Sequence, residues 1–160
     1  MRTTSDEIAP RFREMAHSVG MAVAATVGPD GRPRTRVVQP VWELSDEGLV
    51  GWVSTEAGSP KTADLRQTPF LSLTYWDPDQ DTCSADCEVE IVTDDAVRAA
   101  TWDRFLHAPG AARVDLSTHP AWDGPADPAF GVLRLRPVRL RVMDGTLMTA
   151  GEGDLLTWRR

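Results

Sequence analysis

The sequence has few residues that can form disulfides or bind metal ions, and each shortage excludes a class of protein. Its 160 residues include two cysteines, three histidines and one lysine, Lys61. Two cysteines exclude a disulfide-rich secreted scaffold, and no pair of histidines has metal-ligand spacing, so we expect no metal. On one strand Cys83 and Cys87 would lie about 13 Å apart, beyond the roughly 7 Å that a disulfide permits. We expect two free thiols packed as small hydrophobic residues.

Long apolar runs are also missing. No segment approaches the ~18 residues of a membrane span, and residues 1–15 contain no apolar core of a secretory leader. We therefore expect a reduced, cytoplasmic protein that does not enter a membrane. The formal net charge of −7 argues against a general binder of nucleic acid or of anionic membranes.

Most of the chain consists of short apolar segments separated by turns rich in Gly, Pro and Asp. The predicted strands are residues 21–27, 33–42, 49–55, 70–76, 83–92 and 131–143. Helices are predicted before Gly20, from Ser59 to Gln67, and from residue 93 or 94 to His107. This order is typical of a closed or nearly closed antiparallel barrel with two or three helices.

We expect one domain, residues 1–160. Its parts are an N-terminal helix (1–20), the first barrel strands (21–92), a helix (93–107), an irregular loop (108–130) and closing strands (131–160).

Three local features give sharper expectations. Pro10 suits the first turn of the N-terminal helix better than its interior. In the last long strand the apolar positions change from odd to even numbers at Pro137, which predicts a bulge or bend there. The sequence Gly151-Glu152-Gly153 suggests a final hairpin between residues 146–149 and 155–158.

Arginine is concentrated on two of the predicted strands. Arg32, Arg34 and Arg36 lie in a stretch without acidic residues. A second acid-free stretch carries Arg134, Arg136, Arg139 and Arg141. Solvated strand faces explain part of this pattern. The alternative is an anion site, because the guanidinium fork matches phosphate or carboxylate oxygens.

The only lysine lies at a predicted helix start, in the sequence Ser59-Pro60-Lys61. Backbone N–H groups at a helix N-terminus favour anions, and the helix dipole adds to this preference. The Ser59 hydroxyl and the Lys61 ammonium group can supply two more donors. Together with the arginine-bearing strand, this turn favours a small anionic ligand.

Several motifs follow one another along residues 25–78. They are a D-G-x-P turn, an R-x-V strand, a strand that ends in hydroxyl residues, G-S-x-K at a helix start, and T-P-x-L-S-L. The order resembles the flavin-binding split-barrel proteins related to pyridoxamine 5'-phosphate oxidase. The stretches DTCSADCEVEIVTDD and DPAFGVLRLRPVRLRVMDG look like its actinobacterial, general-stress-type branch. The resemblance covers residues 20–160. It implies a mainly β (β-rich α+β) fold, an antiparallel Greek-key split β-barrel of six to seven strands with two or three flanking helices.

The resemblance also implies a site for FMN. It puts the phosphate of the cofactor on Arg36 and Lys61, with Ser59 at the helix start. Ser54 and Thr55 would bind the phosphate or the ribityl chain.

Beside the flavin ring the resemblance places Val37, Val38 and Gln39, with backbone groups facing the polar edge of the ring. Two positions depart from the classical oxidase. Pro60 stands where that enzyme has a second basic residue, and Val41 stands where its strand ends in lysine. Phosphate binding would therefore depend on fewer charges.

The resemblance implies a homodimer with the cofactor site at the subunit interface. The expected function is FMN-dependent transfer of hydride or electrons between a reduced nicotinamide, or a small substrate, and an acceptor. Alternatives are a deazaflavin (F420)-dependent reductase and a non-catalytic flavin- or haem-binding module. The C-terminal R-x-H-D-R-like segment of the classical oxidase is missing, which argues against synthesis of pyridoxal phosphate. No catalytic residue is predicted, since the flavin ring itself carries the redox step.

Overall fold

The computed structural model describes residues 3–160. Its helices are α1 (Ser5–Val19), α2 (Pro60–Gln67), α3 (Asp95–His107) and α4 (Thr146–Thr149). Its strands are β1 (Ala22–Val27), β2 (Pro33–Val38), β3 (Val41–Ser45), β4 (Gly48–Glu56), β5 (Phe70–Trp76), β6 (Thr82–Val92), β7 (Phe130–Met143) and β8 (Leu155–Arg159). Two 3-10 turns, Gly110–Ala112 and Leu116–Thr118, lie in the loop before β7.

The strands form one antiparallel sheet in the order β2-β1-β5-β6-β7-β4-β3, with β8 on β7. The edge strands β2 and β3 are consecutive in the chain, and only Gln39 and Pro40 separate them. Because two residues span only about 7 Å, the sheet must curl until its two edges meet. The edges are not hydrogen-bonded to each other, so the barrel is split. The predicted mainly β split barrel is confirmed.

The predicted strand over residues 33–42 is wrong as a continuous strand. It divides at Gln39-Pro40, which raises the strand count to eight. Pro40 has no N–H to donate to a ladder, and proline is tolerated in sheets chiefly at edges and ends. Residues before it pair with β1, whereas residues after it pair with β4 on the other edge.

The bulge expected at Pro137 is confirmed. Along β6 and β7, Asp86 is opposite Arg139 but Cys87 is opposite Pro137, which leaves Val138 as an extra residue. One extra residue reverses the alternation of faces. The apolar side chains before and after the bulge therefore all lie in the core: Leu133, Leu135, Leu140 and Val142.

Helix α1 covers one end of the barrel. Phe12 makes an edge-to-face contact with Trp42, with ring centroids 5.0 Å apart. Nε2 of the buried His17 accepts a hydrogen bond from the backbone N–H of Trp42 (2.9 Å), and the Trp42 indole donates to the Tyr75 hydroxyl (2.9 Å). These contacts fix the helix over the start of β3.

The first turn of α1 lies earlier in the chain than expected. The Glu7 carboxylate accepts from the backbone N–H and the hydroxyl of Thr4, an arrangement that starts the helix at Ser5. Pro10 consequently lies inside the helix, and its predicted first-turn position is wrong. Gly20 ends the helix, as the sequence predicts, with φ +79° and ψ −52°.

Helix α3 begins where Asp94 accepts from the N–H of Val97 and ends at His107, as expected. It packs with the following loop on a second apolar cluster that includes Phe105, Trp122 and Phe130.

The predicted C-terminal hairpin is wrong in its first half. Residues Thr146–Thr149 form one helical turn because Met148 and Thr149 donate their N–H groups to the Gly145 carbonyl. Strand β8 pairs with β7 instead, and Trp158 lies opposite Leu140.

Both cysteines are free and buried on β6. Burial is the main cause that raises the pKa of each thiol, so both stay protonated and packed in the core. Within residues 3–160, no helix combines the length and apolarity needed to cross a membrane.

Candidate functional site

The site is centred on Lys61, the second residue of α2. Ser59 caps this helix, since its hydroxyl accepts from the Thr62 N–H, and Pro60 occupies the first position. The Lys61 ammonium group donates to the Thr55 hydroxyl at the end of β4 and to the Ser59 hydroxyl (3.4 Å). The Ser59 and Thr62 hydroxyls are 2.9 Å apart. One half-buried cation and three hydroxyl groups are thus gathered at the helix start.

The surroundings of Lys61 disfavour its charge. Burial lowers the pKa of the ammonium group, the nearby Arg36 cation lowers it further, and Glu56 partly opposes them. A dianionic ligand would supply the negative charge that this cluster of cations lacks.

Arginines from β2 reach the same place through a buried carboxylate. Asp64 on α2 is only 3% exposed and accepts from the Thr26 hydroxyl (3.0 Å) and from an Arg34 guanidinium nitrogen (3.1 Å). The Arg36 guanidinium lies 3.8 Å from the second oxygen of the same carboxylate. Arg36 also donates to the Arg34 carbonyl (2.8 Å). Three cations therefore meet between β2 and the start of α2.

Backbone donors contribute less to this site than the sequence suggests. The N–H groups of Thr62 and Ala63 both donate to the Ser59 carbonyl, and Pro60 has no N–H. Three positions in the first turn therefore have no free donor. Side chains must supply most of the contacts to an anion.

The remaining predicted site residues lie at different places. Ser54 follows the alternation of β4 and faces away from Thr55. Val38 is in the core, whereas Val37 is 63% exposed. The Gln39 side-chain amide donates to the Ala111 carbonyl (2.8 Å), which ties it to the loop after α3. The structure thus brings together Arg36, Thr55, Ser59 and Lys61.

Three of the four arginines on the second arginine-rich strand are paired with carboxylates. Arg134 and Arg136 on β7 form ion pairs with Glu47 and Glu90, and Arg139 pairs with Asp86. The acid-free stretch in the sequence lies beside acidic strands in the fold. These arginines belong to a solvated, charge-paired sheet face.

Asp64 was not predicted from the sequence, and Arg34 was predicted only as one of three arginines of a possible anion site. One signal could have identified Asp64: aspartate is unfavourable within helices unless its side chain has a partner. Its spacing of three residues from Lys61 also places the two side chains on one helix face. Within residues 3–160, no group of three His, Cys, Asp or Glu side chains could hold a metal ion.

The chain matches the model of a known protein family. The sequence profile of the pyridoxamine 5'-phosphate oxidase family matches residues 8–144. That range contains the whole cluster around Lys61. No protein of the curated set matches this sequence.

Solved structures show the same fold at low sequence identity. A pyridoxamine 5'-phosphate oxidase-related, FMN-binding protein from Nostoc punctiforme has a TM-score of 0.68 and 20% identity, covering 98% of this chain and 89% of that protein. A protein from Clostridium acetobutylicum related to general stress protein 26 has a TM-score of 0.70 and 16% identity, covering 98% and 96%. A haem-binding protein from Mycobacterium smegmatis has a TM-score of 0.66 and 20% identity, covering 97% of this chain but 58% of that protein.

Proposed function

The chain belongs to the pyridoxamine 5'-phosphate oxidase family, and we propose that it is an FMN-dependent oxidoreductase that binds the cofactor phosphate on Lys61 and Arg36. The observation that carries this proposal is the convergence of Lys61, Thr55 and Ser59 beside Arg36. Cations and hydroxyl groups in one place match the oxygens of a phosphate ester.

The donor set fits a phosphate group in both charge and shape. The Lys61 ammonium group acts as a point charge, and the Arg36 guanidinium can donate two parallel hydrogen bonds. The hydroxyls of Thr55 and Ser59 already lie within reach of Lys61 and can turn toward a ligand. Ser54 lies on the face of β4 opposite to Thr55. We therefore propose that Ser54 contacts the ribityl chain, at the end of the strand, and not the phosphate.

We propose that β2 and the residues after it border the flavin ring. Strand β2 is an edge strand, so its outer backbone groups pair with no other strand of residues 3–160. Backbone groups of Val37, Val38 and Gln39 can then bind and orient the polar edge of the ring. When bound, the flavin supplies the redox chemistry by passing hydride or electrons between a reduced nicotinamide and a small acceptor.

A homodimer is part of the proposal. The outer face of β1, β2 and β5 exposes apolar side chains, among them Val23 (54%), Val37 (63%) and Trp76 (61%). Val23 lies directly opposite Val37 across the strand pair. Contiguous apolar patches of this kind mark interfaces. Val37 and Arg36 point to opposite faces of β2, but β2 is an edge strand, so we propose that a second copy on this face reaches the cofactor site around that edge.

We place the protein in the cytoplasm, where its two buried thiols would stay reduced, and we expect a small-molecule substrate rather than pyridoxamine phosphate. Assignment to the actinobacterial, general-stress-type branch stays a prediction. A haem-binding function is the second candidate, favoured by the similarity to the Mycobacterium smegmatis haem-binding protein. Use of F420 is the third, because Arg34 and Arg36 could bind its anionic tail.

The absorbance spectrum of the purified protein, followed by titration, separates these functions. Flavin bands, or saturable binding of added FMN, support the proposal. A Soret band that develops with haem while FMN fails to bind would favour haem, and saturation by F420 alone would favour the deazaflavin. A protein that binds none of the three contradicts every one of these assignments.

Site variants test the proposed phosphate contacts. We expect Lys61→Ala and Arg36→Ala each to weaken FMN binding about tenfold or more, since each removes a charge-assisted contact. Fluorescence titration measures the affinity, and circular dichroism checks the fold. Arg136→Ala is the matched control, because it removes a cation that pairs with Glu90 elsewhere on the sheet. Unchanged FMN affinity in both site variants would refute the assignment.

A further inference from the structure

Among residues 3–160, Asp64 is the carboxylate that is buried within the cluster of cations. It is 3% exposed, and its two oxygens are divided between partners. One oxygen accepts from Arg34 (3.1 Å). The other accepts from the Thr26 hydroxyl (3.0 Å) and faces the Arg36 guanidinium (3.8 Å). Burying a carboxylate is costly unless it is paired and hydrogen-bonded, and here three partners offset that cost.

The position of Asp64 connects the two elements that form the anion site. Lys61 and Asp64 lie on α2, whereas Arg34 and Arg36 lie on β2, and these elements are not paired by backbone hydrogen bonds in the sheet. The contacts of this carboxylate with Arg34 (3.1 Å) and Arg36 (3.8 Å) link β2 directly to the helix that carries Lys61. A long arginine side chain without such a link would lose conformational entropy on meeting a ligand.

We infer that Asp64 is a positioning residue, which holds Arg34 and Arg36 toward the start of α2 and so makes the site select flavins that carry a phosphate. This inference rests on the proposed FMN function and adds the residue that gives it phosphate selectivity. Asp64 itself would not touch the cofactor. Its contribution is to fix in advance the Arg36 guanidinium, the proposed phosphate contact, together with Arg34 beside it.

The direction in which Asp64→Asn changes FMN affinity separates this role from the simplest alternative. If Asp64 were only a counter-charge, Asp64→Asn would raise the positive potential of the site and tighten the binding of a phosphate. If Asp64 positions the arginines, the same substitution frees them and weakens phosphate binding. A purely structural role would weaken FMN and riboflavin equally, because riboflavin differs from FMN only in lacking the phosphate.

The experiment is fluorescence titration of the full chain with FMN and with riboflavin. For the wild type we expect FMN to bind more tightly than riboflavin. For Asp64→Asn we expect the FMN dissociation constant to rise about tenfold, with the riboflavin constant unchanged within about twofold. Asp64→Glu, which keeps the charge, should recover part of the preference for FMN. Glu90→Gln is the control, since it removes an exposed carboxylate that pairs with Arg136.

Thr26→Val decides the question if Asp64→Asn does not fold. This nearly isosteric change removes the donor to the oxygen that faces Arg36, so a smaller preference for FMN over riboflavin is expected. An unchanged or larger preference in the folded Asp64→Asn variant, or an unchanged one in Thr26→Val, overturns the role of Asp64 while leaving the FMN function standing. A wild type that does not prefer FMN to riboflavin overturns both.

Discussion

At the scale of single residues, Lys61 connects an electrostatic property of the fold to the proposed binding of a phosphate. Burial and the neighbouring Arg36 cation both lower the pKa of its ammonium group. A bound phosphate acts in the opposite direction, because it stabilises the charged form. Binding of FMN and protonation of Lys61 are therefore linked.

We predict that FMN affinity falls as the pH is raised from neutral to about 10. The sign follows from the direction of the pKa shift. Below the lowered pKa the ammonium group is present and binds the phosphate, whereas above that pKa the neutral amine contributes no charge. Because the pKa is lowered, this loss begins below lysine's ordinary value of about 10.4.

Fluorescence titration across this pH range, with riboflavin as the reference for any titration of the ring, measures the effect. In Lys61→Arg the guanidinium group stays protonated, so the alkaline loss of FMN affinity should largely disappear. The prediction fails if wild type and Lys61→Arg show the same dependence on pH.

Part of this site could be predicted from local sequence and part could not. Ser59-Pro60 before a lysine specifies the cap, the helix start and the position of Lys61, because all three depend on neighbours in the chain. The ion pairs of Asp64 with Arg34 and Arg36 join residues about thirty positions apart. No local pattern encodes them, since they depend on how β2 and α2 meet in the barrel.

At the scale of elements, the C-terminal end of α1 meets the 3-10 turn Gly110–Ala112. Gly20 has φ +79°, and a Cβ atom there would collide with the Ala111 carbonyl. The loop after α3 thus packs closely against the end of α1. The Ala111 carbonyl in this loop also accepts a hydrogen bond from the Gln39 side chain. This contact fixes the backbone on the proposed ring side of the site.

We predict that Gly20→Ala lowers the free energy of unfolding by about 2 kcal/mol more than Gly31→Ala does. Gly31 is a matched control, because it has a similar φ of +76° but no atom within 4 Å of the added Cβ. The control should therefore lose only the ~1 kcal/mol that a left-handed conformation costs. Denaturant unfolding measures both values, and equal losses would show that the contact with Ala111 contributes nothing.

Helices and strands were predictable where the spacing of apolar residues or a helix-capping residue specifies them. The bulge at Pro137 was predictable because the apolar residues of this strand change from odd-numbered to even-numbered positions there. The break at Pro40 and the helical turn at Thr146–Thr149 were missed because partners distant in the sequence decide them. Residues after Pro40 pair with β4 on the opposite edge, and β8 pairs with β7 rather than with residues 146–149.

At the scale of the whole molecule, the apolar outer face of β1, β2 and β5 supports a dimer of this chain. Strands β1 and β5 alternate buried and outward-facing residues along their length. This alternation leaves Val23, Phe70 and Trp76 at least half exposed, as is Val37 on β2 opposite Val23. Such a face is expected to be covered by a partner.

We predict that Val23→Asp converts the proposed dimer to a monomer of 17.6 kDa, since it places a charge on the apolar face. Light scattering after size-exclusion chromatography measures the mass. Met148→Asp on α4, where the side chain is 70% exposed on another element, should leave the dimer intact. A wild type that is already monomeric, or a Val23→Asp variant that stays dimeric, contradicts the proposed interface.

The most direct test of the FMN function is a calorimetric titration of the wild-type chain with FMN and with riboflavin under identical conditions. The predicted result is saturation at one FMN per chain, with riboflavin binding at least about tenfold more weakly because it lacks the phosphate for which we propose Lys61 and Arg36 as ligands. Equal affinities for the two flavins, or no saturable binding of FMN, would contradict the function proposed for this site.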